Sequence, residues 1–319
     1  MTISVKEKLD FESESANWLI VDRCPSCKSQ EAINRGEVPL DFYYFSGKKI
    51  VIRAKHIAVW ECKKCGLLYK NKVPSPEFIS QLISSQSNRI WSYQYKYEDE
   101  IQLINDLFSD RSSYDLLDIG AANGDLLRHS AKFGGRRSAL DVARYPGLEI
   151  NSDGEFIKGL LDDSSLVWSQ RQYDIVTLFD VLEHLYNPIT AFSNLRNFVK
   201  EGGFVIVETG DSDRYWYKQS KISHWQYVRL FEHHIFWNYC SISLQAQKNG
   251  FEIVSYTNKR NKYVEKTSIQ RKLKNLPMLG LYLTSRKAYN MLGKIMDKQG
   301  IQPINLFAKD HFRVILKKV

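Results

Sequence analysis

Cysteine pairs, carboxylates near glycine turns and an acid-histidine run stand in this chain at spacings that can support chemistry. Cys24 and Cys27 form one CxxC pair and Cys62 and Cys65 another, with 34 residues between the pairs. A CxxC turn presents two thiolates to one tetrahedral ion, so these four cysteines form a candidate zinc set rather than two disulfides. Further along, Tyr114 to Gly124 reads Tyr-Asp-Leu-Leu-Asp-Ile-Gly-Ala-Ala-Asn-Gly. In a dinucleotide site such glycines bring backbone N–H groups against a pyrophosphate. Asp118 at the end of the apolar run would repel phosphate and suits an ammonium, while the helix beginning beyond Gly124 suits a carboxylate. An amino acid joined to a nucleoside meets both demands.

More carboxylates recur at intervals that place them at successive strand ends. Asp141 closes Ser-Ala-Leu-Asp, 17 residues after Gly124, and can accept hydrogen bonds from two ribose hydroxyls. Leu161 and Asp162 follow a short third element, where an adenine would be held, and Phe179 and Asp180 leave the fourth strand beside the reacting group. Glu232, His233 and His234 form the run best suited to proton transfer, with alternate projection sending one of the two histidines inward; His184, after Glu183, is a further candidate base or a residue that fixes its turn. Cys240 has no basic neighbour in sequence and reads as a packed thiol.

Positioning these groups requires an α/β frame. Apolar runs predict strands over 115–119, 138–142, 173–179, 203–208, 251–257 and 312–318, alternating with helices as a parallel sheet requires. A helix opens at Asp125 and runs to Gly134-Gly135. Another starts at Asn187-Pro188 and stops at Gly202-Gly203, with Phe192, Leu195, Phe198 and Val199 as its buried face; a third, 241–249, ends at Gly250. The reading is thus a Rossmann-like, mostly parallel sheet with helices on both faces, plus a small N-terminal zinc ribbon. Its divisions are 1–75 for the ribbon module, 76–113 for a helical connector, 114–257 for the core, 258–310 for a basic helical insertion and 311–319 for the final core strand. Within the connector, Ile101, Leu103, Ile104, Leu107 and Phe108 make an apolar stripe in a helical stretch from 77 to 110.

At 319 residues and 43% hydrophobic content, the chain can bury a real core, which excludes a disordered tail or linker. It has no apolar run of about 18 residues and no signal-peptide core, so a cytoplasmic location is expected, without an integral membrane segment. Residues 258–319 hold 15 Lys and Arg against three Asp and Glu, more excess charge than the whole chain's +9. Basic character is therefore local, which fits an anionic small-molecule acceptor or peripheral contact with a membrane carrying a lipid-linked one, rather than a nucleic-acid coat. Tyr215, Trp216, Tyr217, Lys218, Lys221, His224, Trp225 and Tyr227 read as an aromatic and basic lid after the fifth strand.

Asp118, Gly120, Ala122, Asn123 and Gly124, read together as Asp-Ile-Gly-Ala-Ala-Asn-Gly, and the later Phe-Asp-Val-Leu-Glu-His resemble the first and post-fourth-strand motifs of class I S-adenosylmethionine-dependent methyltransferases. Ala122 replaces a usual glycine, and its methyl group is accommodated by a backbone of negative φ. The two CxxC pairs are similar to the zinc ribbon that precedes many sugar and polysaccharide-pathway methyltransferases, and Phe-Glu-His-His-Ile-Phe to a Glu-His loop that supplies the base in sugar C-methyltransferases. What the resemblance implies is methyl transfer from S-adenosylmethionine to O or C of a sugar, nucleotide-sugar, lipid-linked or secondary-metabolite acceptor. Two alternatives stand beside it: an RNA or tRNA methyltransferase gripping nucleic acid with the ribbon and basic part, and a zinc-dependent interaction module on an inactive fold.

Overall fold

The computed structural model describes residues 9–10, 18–38, 42–45, 48–52, 56–84, 95–213, 222, 225–259, 285 and 310–319. Its centre is a seven-stranded sheet in which five strands pair in parallel and two more are added through antiparallel pairing. The parallel strands are β9 (Leu116–Ile119), β10 (Arg137–Asp141), β11 (Phe156–Lys158), β12 (Tyr173–Phe179) and β13 (Val199–Gly210). The other two are β15 (Phe251–Lys259) and β16 (His311–Lys318), giving the spatial order β11-β10-β9-β12-β13-β16-β15.

Alternation along these strands explains why both faces carry helices. Leu117, Ile119, Val176, Leu178, Val205 and Val207 join one apolar cluster with α4 (Pro188–Phe198) and α5 (Tyr239–Lys248). Their neighbours Leu116, Ile175, Phe179 and Ile206 join another with α2 (Glu98–Leu107) and α3 (Asp125–Ser130). A period of two thus distributes apolar side chains to two layers. Local chemistry sets the helix ends: Asn187 caps α4 ahead of Pro188, and Asn238 with Ser241 forms a capping box on α5.

The N-terminal part is built from β1 (Leu9–Asp10), β2 (Trp18–Ile20), β3 (Ala32–Glu37), β4 (Phe42–Phe45), β5 (Lys48–Val51), β6 (Ala58–Cys62), β7 (Leu68–Lys70) and β8 (Lys72–Pro74). It does not stand apart from the core. The short strand β14 (Ile235–Phe236), which belongs to the core segment of the chain, pairs antiparallel with β7 and completes a four-stranded sheet, β14-β7-β6-β3. Cys24, Cys62, Cys65, Leu67 and Tyr69 share an apolar cluster with Trp237, Ile242 and Phe312. The division expected at residue 75 therefore runs through one sheet and one core.

Several boundaries differ from expectation for physical reasons. Among its described residues the stretch 77–110 holds two helices, α1 (Pro76–Ser84) and α2, packed in different clusters. Helix α3 ends at Ser130, four residues before Gly134, because buried Arg137 takes the carbonyls of Ser130 and Phe133 at 3.0 and 2.6 Å. Val199 is not on the α4 face: it is extended and pairs with Tyr173, so strand β13 starts where the helix ends. Cys240 is exposed on the first turn of α5 rather than packed. The basic insertion, apart from its ends and Ser285, and the lid residues Tyr215 to Lys218, Lys221 and His224 lie outside the described residues. Among the described residues no helix is long and apolar enough to cross a membrane.

Two charged groupings lock elements together. Glu100 on α2 and Glu208 on β13 are bridged by Lys259 at 3.0 Å to each and by Arg313, so the first helix of the core is tied to its last two strands. Arg137, 2% exposed, has no ion pair to a carboxylate among the described residues. Instead it donates to carbonyls of Tyr114, Ser130 and Phe133 and lies 4.6 Å from the Tyr114 ring. Its guanidinium closes the carbonyl end of α3, where a cation is favoured. Replacing it strands several buried acceptors, so Arg137→Met is expected to cost about 3 kcal/mol or more, read as a lower urea midpoint at unchanged slope.

Candidate active site and cysteine centre

All five parallel strands end on one edge, and the antiparallel β16 begins there, so the groups that follow β9, β10, β12 and β13 face the same crevice as His311. On this edge the chain after β9 turns through Gly120 at φ 72°, Ala122 at φ 47° and Gly124 at φ 75°. Ala122 thus holds the left-handed conformation, not the negative φ expected for it. The compensation is visible: its N–H donates to Asp141 Oδ2 at 2.9 Å, fixing the turn against the next strand. Burial pushes Asp141 up to about 6, against three backbone amides that stabilise its ionised form.

The rest of the turn is more occupied than the sequence reading anticipated. Asp118 is buried and accepts from Thr177 Oγ1 at 2.7 Å. Asn123 accepts from the Asp125 N–H at 3.3 Å. The N-terminus of α3, expected to receive a carboxylate, already has the Asp125 side chain, which takes the Tyr95 N–H at 2.8 Å and pairs with Arg128 at 2.5 Å. Segment 95–97 consequently lies against the crevice, with the Tyr97 ring stacked on Phe179 at 5.7 Å. Tyr97 was not anticipated as a site residue; an aromatic residue just ahead of the α2 stripe was its available signal.

Leu161 and Asp162 serve neighbouring structure. Leu161 is 2% exposed in the core cluster, so its side chain is turned away from the crevice. Asp162 accepts the N–H groups of Tyr186 and Asn187 at 2.6 and 2.9 Å, holding the start of α4. An adenine contact from these two would have to come from backbone or from the partly exposed face of Asp162.

Beyond Phe179 and Asp180, the 3-10 turn Leu182–His184 brings the histidines together. His184 and His233 rings meet at 4.9 Å, and Tyr227 lies 4.2 Å from His233 and 5.3 Å from His311. Glu183, fully buried, accepts from Tyr227 Oη at 2.5 Å and from Thr209 Oγ1 at 2.8 Å. His184 Nδ1 lies 2.8 Å from the Glu232 carbonyl oxygen, which can only accept, so Nδ1 carries a proton and the neutral form of the ring has its lone pair on Nε2. The proton on His311 Nδ1 is fixed the same way by Asp310 at 2.9 Å, and its Nε2 is 3.9 Å from Asp180.

Both His233 and His234 are buried, at 6% and 3% exposure, so alternation along an extended strand does not apply to them. They sit in a turn whose His233 N–H donates to Leu230 and whose His234 N–H donates to Glu183. Burial, then the charges of His184, Lys70, His234 and His311, hold His233 well below the usual imidazole range, and burial, then Lys70 and His184, do the same for His234, so both favour the neutral form. His311 is shifted the other way, upward: burial opposes its charge, and Asp310 outweighs burial. His311, Glu183 and Lys70 were not anticipated as site residues, and Tyr227 was read only as part of a lid. Three of them arrive from strands and turns far apart in the chain, and only Glu183 stood inside a recognisable motif.

The cysteines converge as their spacing predicts. Each CxxC turn is a knuckle closed by the same backbone pattern, with Lys28 N–H on Cys24 O and Gly66 N–H on Cys62 O, both at 2.9 Å and both residues at positive φ. Sulfur separations are 3.6 Å for Cys24–Cys65 and 3.4 Å for Cys27–Cys62, and all four ligand atoms lie within 4.8 Å of one another. A tetrahedral ion with metal–sulfur bonds of about 2.3 Å needs sulfurs about 3.8 Å apart, so the set fits. The Cys65 thiol draws Cys24 down to about 6, while burial pushes Cys27 up to about 11. Thiolates so crowded exist together only beside a cation.

Comparison with known proteins places this edge in a family. Residues 90–256 match the family described as a methyltransferase domain. Among curated relatives, the ubiquinone biosynthesis O-methyltransferases of Vibrio vulnificus and Shewanella pealeana are each 32% identical over 101 residues, 30% of this chain and 43% and 42% of theirs. The chain thus spans less than half the length of the curated relatives it matches. Among solved structures, the 1,6-didemethyltoxoflavin N1-methyltransferase of Burkholderia thailandensis superposes with a TM-score of 0.48 at 10% identity, covering 84% of this chain and 98% of that one. With more than half of its residues matched, and with the strand order and occupied edge described above, the chain belongs to the methyltransferase-domain family.

Proposed function

We propose that the protein transfers a methyl group from S-adenosylmethionine to a small-molecule acceptor, at a hydroxyl oxygen or an acidic carbon. One observation carries this reading: Asp141, held by the Ala122 turn, and the histidine cluster beyond Phe179 and Asp180 occupy a single sheet edge. Asp141 would accept the ribose hydroxyls, with Asp118 near the cofactor's ammonium and Phe179 and Tyr97 along its length. When bound, the sulfonium supplies an electrophilic methyl group; the chain has to align the acceptor, keep water out and take a proton.

His184 is placed to take that proton. It is the half-buried member of a buried cluster, its Nδ1 is committed to the Glu232 carbonyl, and its Nε2 lone pair remains. Neutral His233 packs on its ring without competing charge. Glu232 acts through its backbone in this scheme, and His234 supports the turn. The acceptor class follows the resemblance of the cysteine module to the sugar-pathway group, and the Vibrio and Shewanella relatives are named for O-methylation. A sugar, nucleotide-sugar or lipid-linked alcohol is the reading preferred. The four cysteines would hold one zinc ion with a structural role.

Three results are expected. Calorimetry with S-adenosylhomocysteine detects binding that Asp141→Ala weakens at least about tenfold, since hydrogen bonds to a charged acceptor are lost; no binding to the unaltered protein would overturn the reading. Ribose hydroxyls favour the ionised form of Asp141, so affinity falls as pH drops through about 6 and levels off above it. The sign for folding is opposite: with its folded value raised, Asp141 contributes stability at low pH that is lost as pH rises through about 6. His184→Ala is expected to slow turnover of an identified acceptor by about 100-fold or more while leaving S-adenosylhomocysteine affinity unchanged. Elemental analysis should give one zinc per chain, and Cys62→Ser should lower both that ratio and the melting temperature.

A further inference from the structure

Lys70 is the last residue of β7 in the cysteine module, yet it is only 2% exposed and its ammonium lies inside the core. Nζ donates to the Leu230 carbonyl at 2.7 Å, and the Lys70 N–H donates to the His234 carbonyl at 2.9 Å. These two bonds bracket the turn from 230 to 234. Leu230 O also receives the His233 N–H, and β7 continues the contact by pairing Tyr69 with Ile235 and Leu68 with Phe236. Nζ stands 6.0 Å from the Phe236 ring. Inside the bracketed turn, the Glu232 carbonyl holds the proton on His184 Nδ1.

An ammonium is a costly way to fill such a space, since a buried apolar side chain needs no hydrogen-bond partner. What Lys70 supplies and a methionine would not is a donor aimed at a turn carbonyl and, when protonated, a positive charge beside the histidines. We propose that Lys70 is a positioning residue for the proton acceptor: through the Leu230–His234 turn it sets the tautomer and aim of His184, which makes the cysteine module part of the active-site scaffold. The inference rests on the reading that His184 takes the acceptor's proton. Two docking contacts extend the same link from the cysteine knuckles. Gln245 on α5 donates to Ser26 O at 2.7 Å, and Asn238 donates to Gly66 O at 3.1 Å, so the helix that follows β14 grips both CxxC turns.

Charge runs along the same path. Burial draws Lys70 down to about 7, opposed by the Glu232 carboxylate, and Lys70 in turn depresses His233 and His234. The groups facing His233 are Glu183 and His184 on the 3-10 turn, Tyr227, His234, His311 on β16 and Lys70 on β7. Of these, Lys70 alone comes from the cysteine module.

The test needs no acceptor. Long-range nitrogen–proton spectra of histidine-labelled full-length protein report tautomers directly, and the His184 signals are assigned by their loss in His184→Asn. In the unaltered protein His184 is expected as a single Nδ1–H tautomer. Lys70→Met should convert it to a mixture of tautomers and raise the titration midpoint of His233, while Lys70→Arg, which keeps charge and donor, should restore both. Calorimetry with S-adenosylhomocysteine should show wild-type affinity in all three proteins. An unchanged His184 tautomer in Lys70→Met overturns the inference, as does failure of Lys70→Arg to restore it. Loss of cofactor binding by the unaltered protein would instead overturn the proposed function and leave the tautomer result standing. Should Lys70→Met not fold, the unaltered protein decides: below the shifted value of about 7, the Lys70 ammonium should appear as a slowly exchanging group, and its rapid exchange with water would overturn the assignment.

Discussion

The pairing of Ile235 and Phe236 with Tyr69 and Leu68 is two residues long, yet most of the architecture is arranged around it. It makes one sheet from strands separated by more than half the chain. Everything between the pairing and the parallel sheet is then confined: the turn before β14 is pressed against the 3-10 turn after β12, and Trp237 immediately beyond donates to Leu182 O at 3.0 Å. A strand pair this short is weak alone. It persists because apolar side chains on both sides are buried in continuous clusters, with Leu68 and Phe236 in one and Tyr69, Ile235 and Trp237 in the other.

Electrostatics at the crevice follow from that confinement. Four carboxylates along this side take N–H and O–H donors: Asp118 from Thr177, Asp141 from Ala122, Asp162 from Tyr186 and Asn187, Glu183 from Tyr227 and Thr209. Arginine and lysine pairs instead gather elsewhere. Asp115 and Asp174 meet Arg136, Arg111 and Lys200 at the opposite ends of the strands, and the side chains beside Asp115 hold its carboxyl well below the ordinary range despite burial. One end of the strands therefore carries salt-bridged carboxylates, and the other holds carboxylates that burial pushes upward, where a cationic ligand would favour their ionised form.

Much of this frame was legible in the residues. Strands with unbroken apolar runs, such as Tyr173 to Phe179, admit few other structures, and the CxxC spacing dictates its own geometry. Readings failed where a distant partner decides the outcome. Ala122 takes a left-handed backbone because Asp141 accepts its N–H, and Val199 leaves the helix because Tyr173 offers a strand partner. The histidine pair was read by strand alternation, whereas a turn anchored at Leu230 and Glu183 buries both rings. His311 and Lys70 carry no local signature at all, and Tyr227 was read only as part of a lid: each becomes a site residue because β16, β7 and the 3-10 turn Gln226–Arg229 deliver it to the same place. Periodicity records which face of an element is apolar, and it is silent about which elements meet end to end.

The position of β16 has a consequence for how the protein is made. This strand runs between β13 and β15, yet in chain order it follows every other described strand. Until it leaves the ribosome, β15 has no neighbour in the sheet, β13 has an open side, and Glu100 and Glu208 lack one of their two bridging cations. Closure of the sheet, completion of the buried charge cluster and arrival of His311 beside Tyr227 are therefore a single event that waits for β16 to be made. A nascent chain that stalls within the stretch before β16 would display two unsatisfied strand edges, the kind of surface that chaperones and proteases recognise.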